Sequence, residues 1–473
     1  MKRGALIRGL AAAMAGCTAG CTVGPEYRRP DIAMAPAFRA RPIAAQMAAA
    51  PVPQTTGWWR AFGDPVLDRA VERALEGNLD LAQAVARVSQ SRAAAAVASA
   101  AKLPAVSATT SATGTMQSLE GQLGNIFSRF PQFERNNAQF DAGVGASWEI
   151  DLFGGLQRGN EAAHAELLAS TAGIIGARQM IAAEVADAYI QLRAAQGRLA
   201  IAAALKDSDS HLRDLVAMNV RAGLAPRRDL DLAEAQVKET QSRIPALRLI
   251  AEVQMNRIAV LAGQSPEAQR TDLETPAGIP SGASVSLGLP ADLLRNRPDV
   301  IAAEERLRAG NALIGQAISG YYPKFSLSAL LGLQSRNLSA LPAANAGTAT
   351  AVFGLRWRLF DFGRIDAEVA SARGREAELG AAYRLAVLRA AEDVENAAAA
   401  RFEREAQLVS MAAMVQSLER SVSALQAAHR AGTVSLIDVL GAQRQLSAAR
   451  DSAAQLSGEV SRAAVSIARA VGA

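Results

Sequence analysis

The sequence has few of the side chains on which a compact enzyme of its length would depend. Aromatic residues make up only 4% of the 473 residues, although half of the chain is apolar. Alanine supplies much of that apolar share, which suits close packing of helices better than one bulky core. The three histidines, His164, His211 and His429, are far apart, and none has a neighbouring Cys or His. Neither catalysis nor a metal or other cofactor is therefore expected.

The charge pattern gives no basic patch. The formal net charge is +5, and the positive side chains are mostly arginines that lie along helical segments beside Asp and Glu. Binding of nucleic acid would require clustered cations. We therefore expect solvated helix faces and no nucleic-acid partner.

Cysteine occurs only at the end of the first segment. Residues 1–20 have a basic start, a short apolar core and small residues, which is typical of a secretory signal. Cys17 and Cys21 each follow Ala-Gly, as in a lipoprotein processing box, where the first cysteine of the mature chain is acylated. The apolar Met14 favours Cys17, whereas a signal of ordinary length favours Cys21. We expect lipidation at Cys21, with Cys17 as the alternative.

No apolar run is long enough for a membrane-spanning helix. Apolar and polar residues alternate instead in four segments, 106–113, 140–152, 325–333 and 353–359, each of which predicts a two-faced strand. In the fourth segment Phe353, Leu355, Trp357 and Leu359 share one face. The predicted polar faces carry Ser107, Thr109, Asp141, Glu149, Arg356 and Arg358.

Two very long helical patterns accompany the strands. Residues 155–223 contain no proline, and a helix of about 60 residues is on the order of 90 Å long. The interval from Trp148 to Arg221 (221 − 148 = 73) equals that from Trp357 to Arg430 (430 − 357 = 73), which indicates a tandem duplication. The second rod ends in a heptad pattern that predicts coiled-coil packing: Leu408, Met411, Val415, Leu418, Val422 and Leu425.

These patterns predict four regions. They are a lipoprotein signal at 1–20, a proline-rich tether at 21–65, a first repeat at 66–290 and a second repeat at 291–473. Each repeat would contain a helix, two strands and a long helical hairpin.

Four strands cannot span a bilayer alone, because open sheet edges leave backbone groups unsatisfied in hydrocarbon. Single-chain barrels have at least about eight strands, so closure here requires two or more copies, giving about eight or twelve strands around a polar, water-filled pore. Two alternatives remain. One is a soluble sandwich edge, and the other is a periplasmic coiled-coil adaptor or scaffold.

The order of these elements resembles the TolC-like outer-membrane efflux protein family. Trp-x-x-x-x-Phe-Gly enters each rod and Arg-Ala-Gly ends it, and Cys21-Thr-Val-Gly-Pro-Glu-Tyr-Arg-Arg-Pro30 is similar to the mature start of the family's lipoprotein branch. The resemblance implies a trimer with a 12-stranded outer-membrane barrel, four strands per chain, continued by a helical periplasmic barrel. It further implies a passive small-molecule channel that works with a periplasmic adaptor and an inner-membrane RND-type transporter. A protein-secretion duct is the alternative within the family.

The resemblance also assigns roles to the turns between the long helices. It implies that the turns at Arg221 and Gly223 and at Arg430 and Gly432 dock the adaptor, and that Asp438 lines the periplasmic aperture. The family's second acidic position is Gly441 here, so the double acidic ring is incomplete. An acidic residue at a helix start is also favourable by itself, which leaves a purely structural role for Asp438 open.

Overall fold

The computed structural model describes residues 22–32, 57–122, 126, 130, 134–268, 271–281 and 296–472. Cys17 and Cys21 lie outside these ranges. The chain forms two compact units. The sheet unit contains the described parts of Met1–Pro30, Ser89–Ala169 and Glu304–Ala382, and the helical unit those of Asp31–Val88, Ser170–Ala303 and Tyr383–Ala473.

The sheet unit is built on one antiparallel sheet of four strands in chain order. The strands are β1 (Ala105–Met116), β2 (Asn136–Ile150), β3 (Lys324–Ser335) and β4 (Gly347–Arg356). The second and third strands come from different repeats, yet they pair over eleven residues, from Phe140 opposite Ser335 to Ile150 opposite Phe325. The two repeats therefore form one continuous sheet.

The fourth strand is shifted relative to the alternating pattern in the sequence. The pattern predicted a strand through Leu359, but β4 ends at Arg356 and begins earlier, at Gly347. Trp357, Arg358 and Leu359 follow the strand, so the prediction that Arg358 lies on its polar face is wrong for the single chain. Among the described residues, no strand lies beyond β4, so β4 is an edge strand. An edge strand is held by hydrogen bonds to a neighbour on one side only.

The long helices have equal lengths in the two repeats. The helix α3 (Gly155–Arg221) and the helix α7 (Arg364–Arg430) each have 67 residues. Their hairpin partners, α4 (Arg227–Leu261) and α8 (Leu436–Ala470), each have 35 residues. The other α-helices within the described ranges are α1 (Pro65–Gly77), α2 (Leu79–Ala100), α5 (Thr271–Glu274) and α6 (Pro298–Ile318). The equal rods inferred from the sequence are confirmed. The sequence predicts one helix before the strands of each repeat, but the first repeat has two, α1 and α2, which are separated at Asn78.

The main core lies in the helical unit, where the described N-terminal residues pack against α3. Trp58, Trp59 and the fully buried Tyr189 belong to one cluster with the C-terminal residues of α4 and α8. The Tyr189 hydroxyl donates to Asp64 Oδ2 at 2.7 Å, and the Asp64 carboxylate also caps α1. Burial and this bond raise the pKa of Tyr189, so the phenol stays a donor. Trp58 and Trp59, within the predicted tether at 21–65, are thus part of the packed core.

A buried arginine fixes the connector near the end of the first repeat. Arg193 is 1% exposed, and its guanidinium donates to the backbone carbonyls of Leu273 and Thr275 while lying 4.7 Å from the centre of the Tyr189 ring. A buried charge needs such partners to remain ionised. The connector at 271–281 is therefore held against α3.

In each repeat, the C-terminus of the 35-residue hairpin helix is closed by the residue that precedes the helix before the strands, α2 or α6. In the first repeat, Asn78 Nδ2 donates to the carbonyl of Leu261, the last residue of α4, at 2.8 Å. In the second, Arg297 Nη1 donates to the carbonyl of Ala470, the last residue of α8, at 2.8 Å. Arg297 also pairs with Asp393 at 3.0 Å. The same closure is made by two different side chains.

Replacing Arg297 with Ala should destabilise the helical unit, because the buried guanidinium satisfies a helix-end carbonyl and two carboxylates. Hydrogen bonds to a charged group are worth about 1.5–3 kcal/mol each. We expect a lower unfolding temperature by far-ultraviolet circular dichroism. Arg306→Ala is the control, since the Arg306 side chain is half exposed and its ion pair with Glu166 is long, at 4.0 Å. Equal unfolding temperatures for the two variants would contradict the role of Arg297.

Candidate functional site

One face of the sheet is mainly polar, although Leu330 and Val352 also lie on it. The register places Ser107 opposite Gly145, and Glu149 opposite Ser326, on the same side of the sheet. Most of this face consists of small or hydroxyl side chains, with Lys324 directly opposite Arg356 at the end nearest the helices. The five strand residues predicted for the polar side share this face: Ser107, Thr109, Asp141, Glu149 and Arg356.

The charges on this face have polar partners. Asp141 accepts hydrogen bonds from Ser111 Oγ at 3.1 Å, from Gln139 Nε2 at 3.1 Å and from Gln334 Nε2 at 2.9 Å. Glu149 lies 3.2 Å from Lys324 Nζ. A surface of hydroxyls, small residues and balanced charges is suited to contact with water.

The opposite face is apolar and exposed. Val106, Leu331 and Phe353 are 67, 67 and 64% exposed, and their neighbours on this face are also apolar. Phe325 and Phe353 stack with ring centres 5.9 Å apart. A contiguous apolar surface of this kind on a folded protein marks contact with lipid or another protein.

Both turns between the long helices end in the same backbone motif. Gly223 and Gly432 have φ values of 73° and 74°, a left-handed conformation that favours glycine. The N–H of Leu224 donates to the carbonyl of Asn219, and that of Thr433 to the carbonyl of Ala428, which is the Schellman pattern. Both turns are exposed, so each hairpin presents its tip to solvent.

The side chains around the two tips differ in detail. Arg221 and Arg430 are exposed, and each bonds only back to a carbonyl of its own helix, at Ala217 and Gln426. The second tip also has His429, whose Nδ1 lies 2.9 Å from the Val434 carbonyl. The predicted docking residues are thus accessible on both hairpins.

Asp438 is exposed in the first turn of α8 and is bonded to the N-cap residue of that helix, Ser435. The Ser435 hydroxyl accepts from the Asp438 backbone N–H at 3.2 Å and donates to Asp438 Oδ2 at 2.6 Å. Asp229 stands at the same position of α4, where the preceding cap residue is Pro226 without a side-chain bond. Asp438 therefore has a structural role at the helix start, and this role leaves its second carboxylate oxygen available.

The heptad residues of α7 are its less exposed face. Leu408, Met411, Val415, Leu418 and Leu425 are half-buried and Val422 is buried, whereas the neighbouring Val409 is 72% exposed. Ion pairs beside this face join α7 to α8, between Glu419 and Arg450 at 2.8 Å and between Arg404 and Glu459 at 3.5 Å. The hairpin therefore packs as the pattern predicted.

The segment after Cys21 is packed, which the prediction of a tether did not anticipate. The Val23 N–H donates to the carbonyl of Phe153 at 3.1 Å. The buried guanidinium of Arg158 donates to the Val23 carbonyl at 3.2 Å and to Glu26 at 2.9 Å. Gly24 (φ 100°) lies so close to Gly315 that a side chain at either position would clash. The Gly24-Pro-Glu26 run is the sequence feature that could have indicated this packing, because glycine allows another backbone segment to approach closely.

No helix in the described ranges has the length and apolar character to cross a bilayer. Among the same residues, no three His, Cys, Asp or Glu side chains come together as a metal site would require.

Comparison with known proteins gives consistent results over nearly the whole chain. The sequence profile of the family described as "Outer membrane efflux protein" matches residues 70–264 and 289–473. Nodulation protein T of Rhizobium leguminosarum bv. viciae is 31% identical, over 91% of this chain and 86% of its own. The pyoverdine export outer membrane protein OpmQ of Pseudomonas aeruginosa is also 31% identical, over 88% of this chain and 86% of its own.

Among solved structures, the outer-membrane channel OprN superposes with a TM-score of 0.85 and 31% sequence identity. The superposition covers 96% of this chain and 99% of OprN. The predicted fold class, with four strands and long helical hairpins from a duplicated chain, is confirmed.

Proposed function

The chain belongs to the outer membrane efflux protein family, and from this membership we propose that three copies form a passive small-molecule channel served by two other proteins. The resemblance noted in the sequence is thereby confirmed, and the protein is an outer-membrane efflux channel. The partners we propose are a periplasmic adaptor and an inner-membrane RND-type transporter. Because the proposed channel is passive, the transporter would supply the energy for export.

The observation that carries the proposal is the two-faced sheet with two open edges. Its apolar face suits lipid, and its polar face suits water. Backbone groups at an open edge cannot remain unsatisfied in hydrocarbon. Three copies would give twelve strands, joined edge to edge around a polar lumen. A coiled-coil adaptor would have no use for this sheet.

The cargo follows from the transporter rather than from this chain. OpmQ is named for the export of pyoverdine, and a passive channel takes the compounds that its transporter delivers. Small-molecule efflux is our proposal, and secretion of a protein would require a transporter of another kind.

Export should depend on the exposed hairpin tips. In a strain lacking the chain, the wild-type protein should lower accumulation of a fluorescent efflux dye, while Arg430→Glu should restore high accumulation because it reverses the charge that we assign to adaptor docking. Arg420→Glu is the control, since Arg420 is exposed on the same helix ten residues before the tip (430 − 420 = 10). Equal accumulation with both variants, at equal outer-membrane levels, would count against docking at the tip.

Asp438 should limit the resting conductance. Carboxylates gathered around a narrow opening repel each other and attract cations. Asp438→Ala should raise the ion leak of reconstituted channels and lower their cation selectivity. Ser435→Ala removes the N-cap hydroxyl of α8 but keeps the carboxylate, so its selectivity should match the wild type. If both variants behave alike, the carboxylate acts only at the helix start.

We assign the acyl group to Cys21. The next residues are docked, with the Val23 N–H bonded to the carbonyl of Phe153, between β2 and α3, and one residue spans about 3.8 Å. A lipid on Cys21 would therefore be held close to the strand ends. Metabolic labelling with palmitate should fail for Cys21→Ser and persist for Cys17→Ser. The reverse pattern would move the anchor to Cys17.

A further inference from the structure

The two helical hairpins are related by one constant offset. The long helix ends 209 residues later in the second repeat (430 − 221), and the return helix begins 209 residues later (436 − 227). Each position of the first hairpin, α3 with α4, therefore has a counterpart 209 residues on in the second hairpin, α7 with α8. The heptad face of α7 can thus be compared with its counterpart on α3.

The counterpart of this apolar face carries charges. It consists of Leu199, Ala202, Lys206, Asp209, Arg213 and Val216. Its three central members, Lys206, Asp209 and Arg213, stand where α7 has valine or leucine. Asp209 is 3% exposed, so a carboxyl group is enclosed between helices at a position that is apolar in the second hairpin.

The residue that Asp209 contacts on α4 differs between the repeats as well. Thr240 Oγ1 donates a hydrogen bond to Asp209 Oδ2 at 2.6 Å, and Thr240 is 2% exposed. The counterparts of this pair are Leu418 and Ala449, whose side chains have no hydrogen-bonding group. The first hairpin therefore has a buried polar pair where the second has two apolar residues.

The apolar surroundings of the pair are the same in both hairpins. Val237 and Leu247 are buried on α4 on either side of Thr240, and their counterparts on α8, Leu446 and Leu456, are buried too. The polar pair is thus an exception within a face that is otherwise apolar in both repeats.

Stability alone does not explain the pair. Enclosing a carboxyl group costs free energy, which one hydrogen bond offsets only in part. Replacing buried polar groups by apolar residues of similar volume is often neutral or stabilising, and Leu418 with Ala449 is such a solution within the same chain. A polar residue at a core position of a coiled coil instead specifies the register of its helices.

The bond restricts sliding of α3 along α4. Apolar contacts are non-directional and tolerate small axial shifts, whereas a hydrogen bond weakens steeply away from its preferred geometry. Asp209 precedes Gly223 by 14 residues (223 − 209), which is about 21 Å of helix. A register fixed at this point sets the position of the tip that α3 and α4 form.

The polar links between α7 and α8 are of another kind. The side chains in the ion pairs of Glu419 with Arg450 and of Arg404 with Glu459 are 34–50% exposed. Exposed pairs of long, flexible side chains contribute little and adjust readily to small shifts. These links therefore fix the register of the second hairpin less strictly than the buried bond fixes that of the first.

We propose that Asp209 and Thr240 are positioning residues whose bond fixes the register of the first hairpin and holds its tip, at Gly223, in place for docking. The second hairpin, with its tip at Gly432, retains freedom to slide. This inference rests on the proposed docking of an adaptor at the tips, and it adds which hairpin supplies the fixed part of the docking surface.

Equivalent pairs of nitroxide labels measure the register of each hairpin. Met218→Cys with Leu232→Cys labels the first hairpin, and Ala427→Cys with Gly441→Cys, 209 residues on, labels the second; all four positions are exposed. Double electron–electron resonance on the full assembly in detergent should give a narrower distribution of within-chain distances for the first pair. Equal widths for the two pairs would overturn the proposal.

Exchanging the pair tests its cause. Asp209→Leu combined with Thr240→Ala gives the first hairpin the residues of the second. The label distances of the first hairpin should then spread to the width of the second, while the unfolding temperature by far-ultraviolet circular dichroism stays the same or rises. Thr240→Ser is the matched control, because it keeps the hydroxyl and should keep the narrow distribution.

An unchanged distribution in the double variant would overturn the positioning role. A lower unfolding temperature with that unchanged distribution would make the pair a stabilising contact only. Spreading of the distances in Thr240→Ser as well would show that the hydrogen bond is not the cause.

Dye accumulation separates this inference from the proposed function. At equal outer-membrane levels, Asp209→Leu with Thr240→Ala should raise accumulation above that of the wild type, and Thr240→Ser should not. If the double variant exports like the wild type while Arg430→Glu does not, the positioning role is wrong and docking at the tips stands. If the wild-type protein itself does not lower accumulation, the proposed function is wrong and the docking role of the Gly223 tip falls with it.

Discussion

The backbone N–H and C=O groups on the outer edges of β1 and β4 need hydrogen-bond partners wherever water is absent. The other features of the molecule depend on which groups supply those partners. The sheet of one chain has an apolar face made for a non-aqueous surrounding, yet it is too small to close on itself. More copies of the same chain are the simplest partners, because each copy brings one edge of each kind. The lumen, its polarity and its symmetry follow from that closure.

The duplication explains why such a closure can be regular. The rods of 67 residues and the return helices of 35 residues are the same in both repeats, and the strand registers agree to the residue. An assembly of several chains then contains nearly equivalent junctions, some within a chain and some between chains. The repeats differ at individual buried contacts. The buried Arg193 holds the connector of the first repeat, and Arg297 takes the place of Asn78 at the second helix closure.

Much of this architecture could be predicted from the sequence, because strand alternation, proline-free helices and equal spacing are local signals. The boundaries that were missed depend on distant partners. The end of β4 at Arg356 reflects an edge that one chain leaves open, and the break at Asn78 reflects its bonds to Leu261 and Leu81. The docking of residues 22–30 depends on Arg158 and Gly315, more than a hundred residues away.

The roles of individual residues are less accessible to both sequence and single-chain structure. Asp438 lies in the first turn of α8 and is bonded to the N-cap residue Ser435, which is sufficient to explain an acidic residue there. An aperture would exist only among several copies. The tips at Gly223 and Gly432 need left-handed glycine for the turn itself, whatever binds there. The roles of these residues in gating and docking therefore stay predictions.

The central claim is that the open sheet edges are closed by copies of the same chain. Native mass spectrometry of the protein extracted from outer membranes in detergent tests it most directly. If three copies close the sheet edges, we expect a mass three times that of one acylated chain and no stable monomer with an intact sheet. A water-soluble monomer that retains its strands would contradict it.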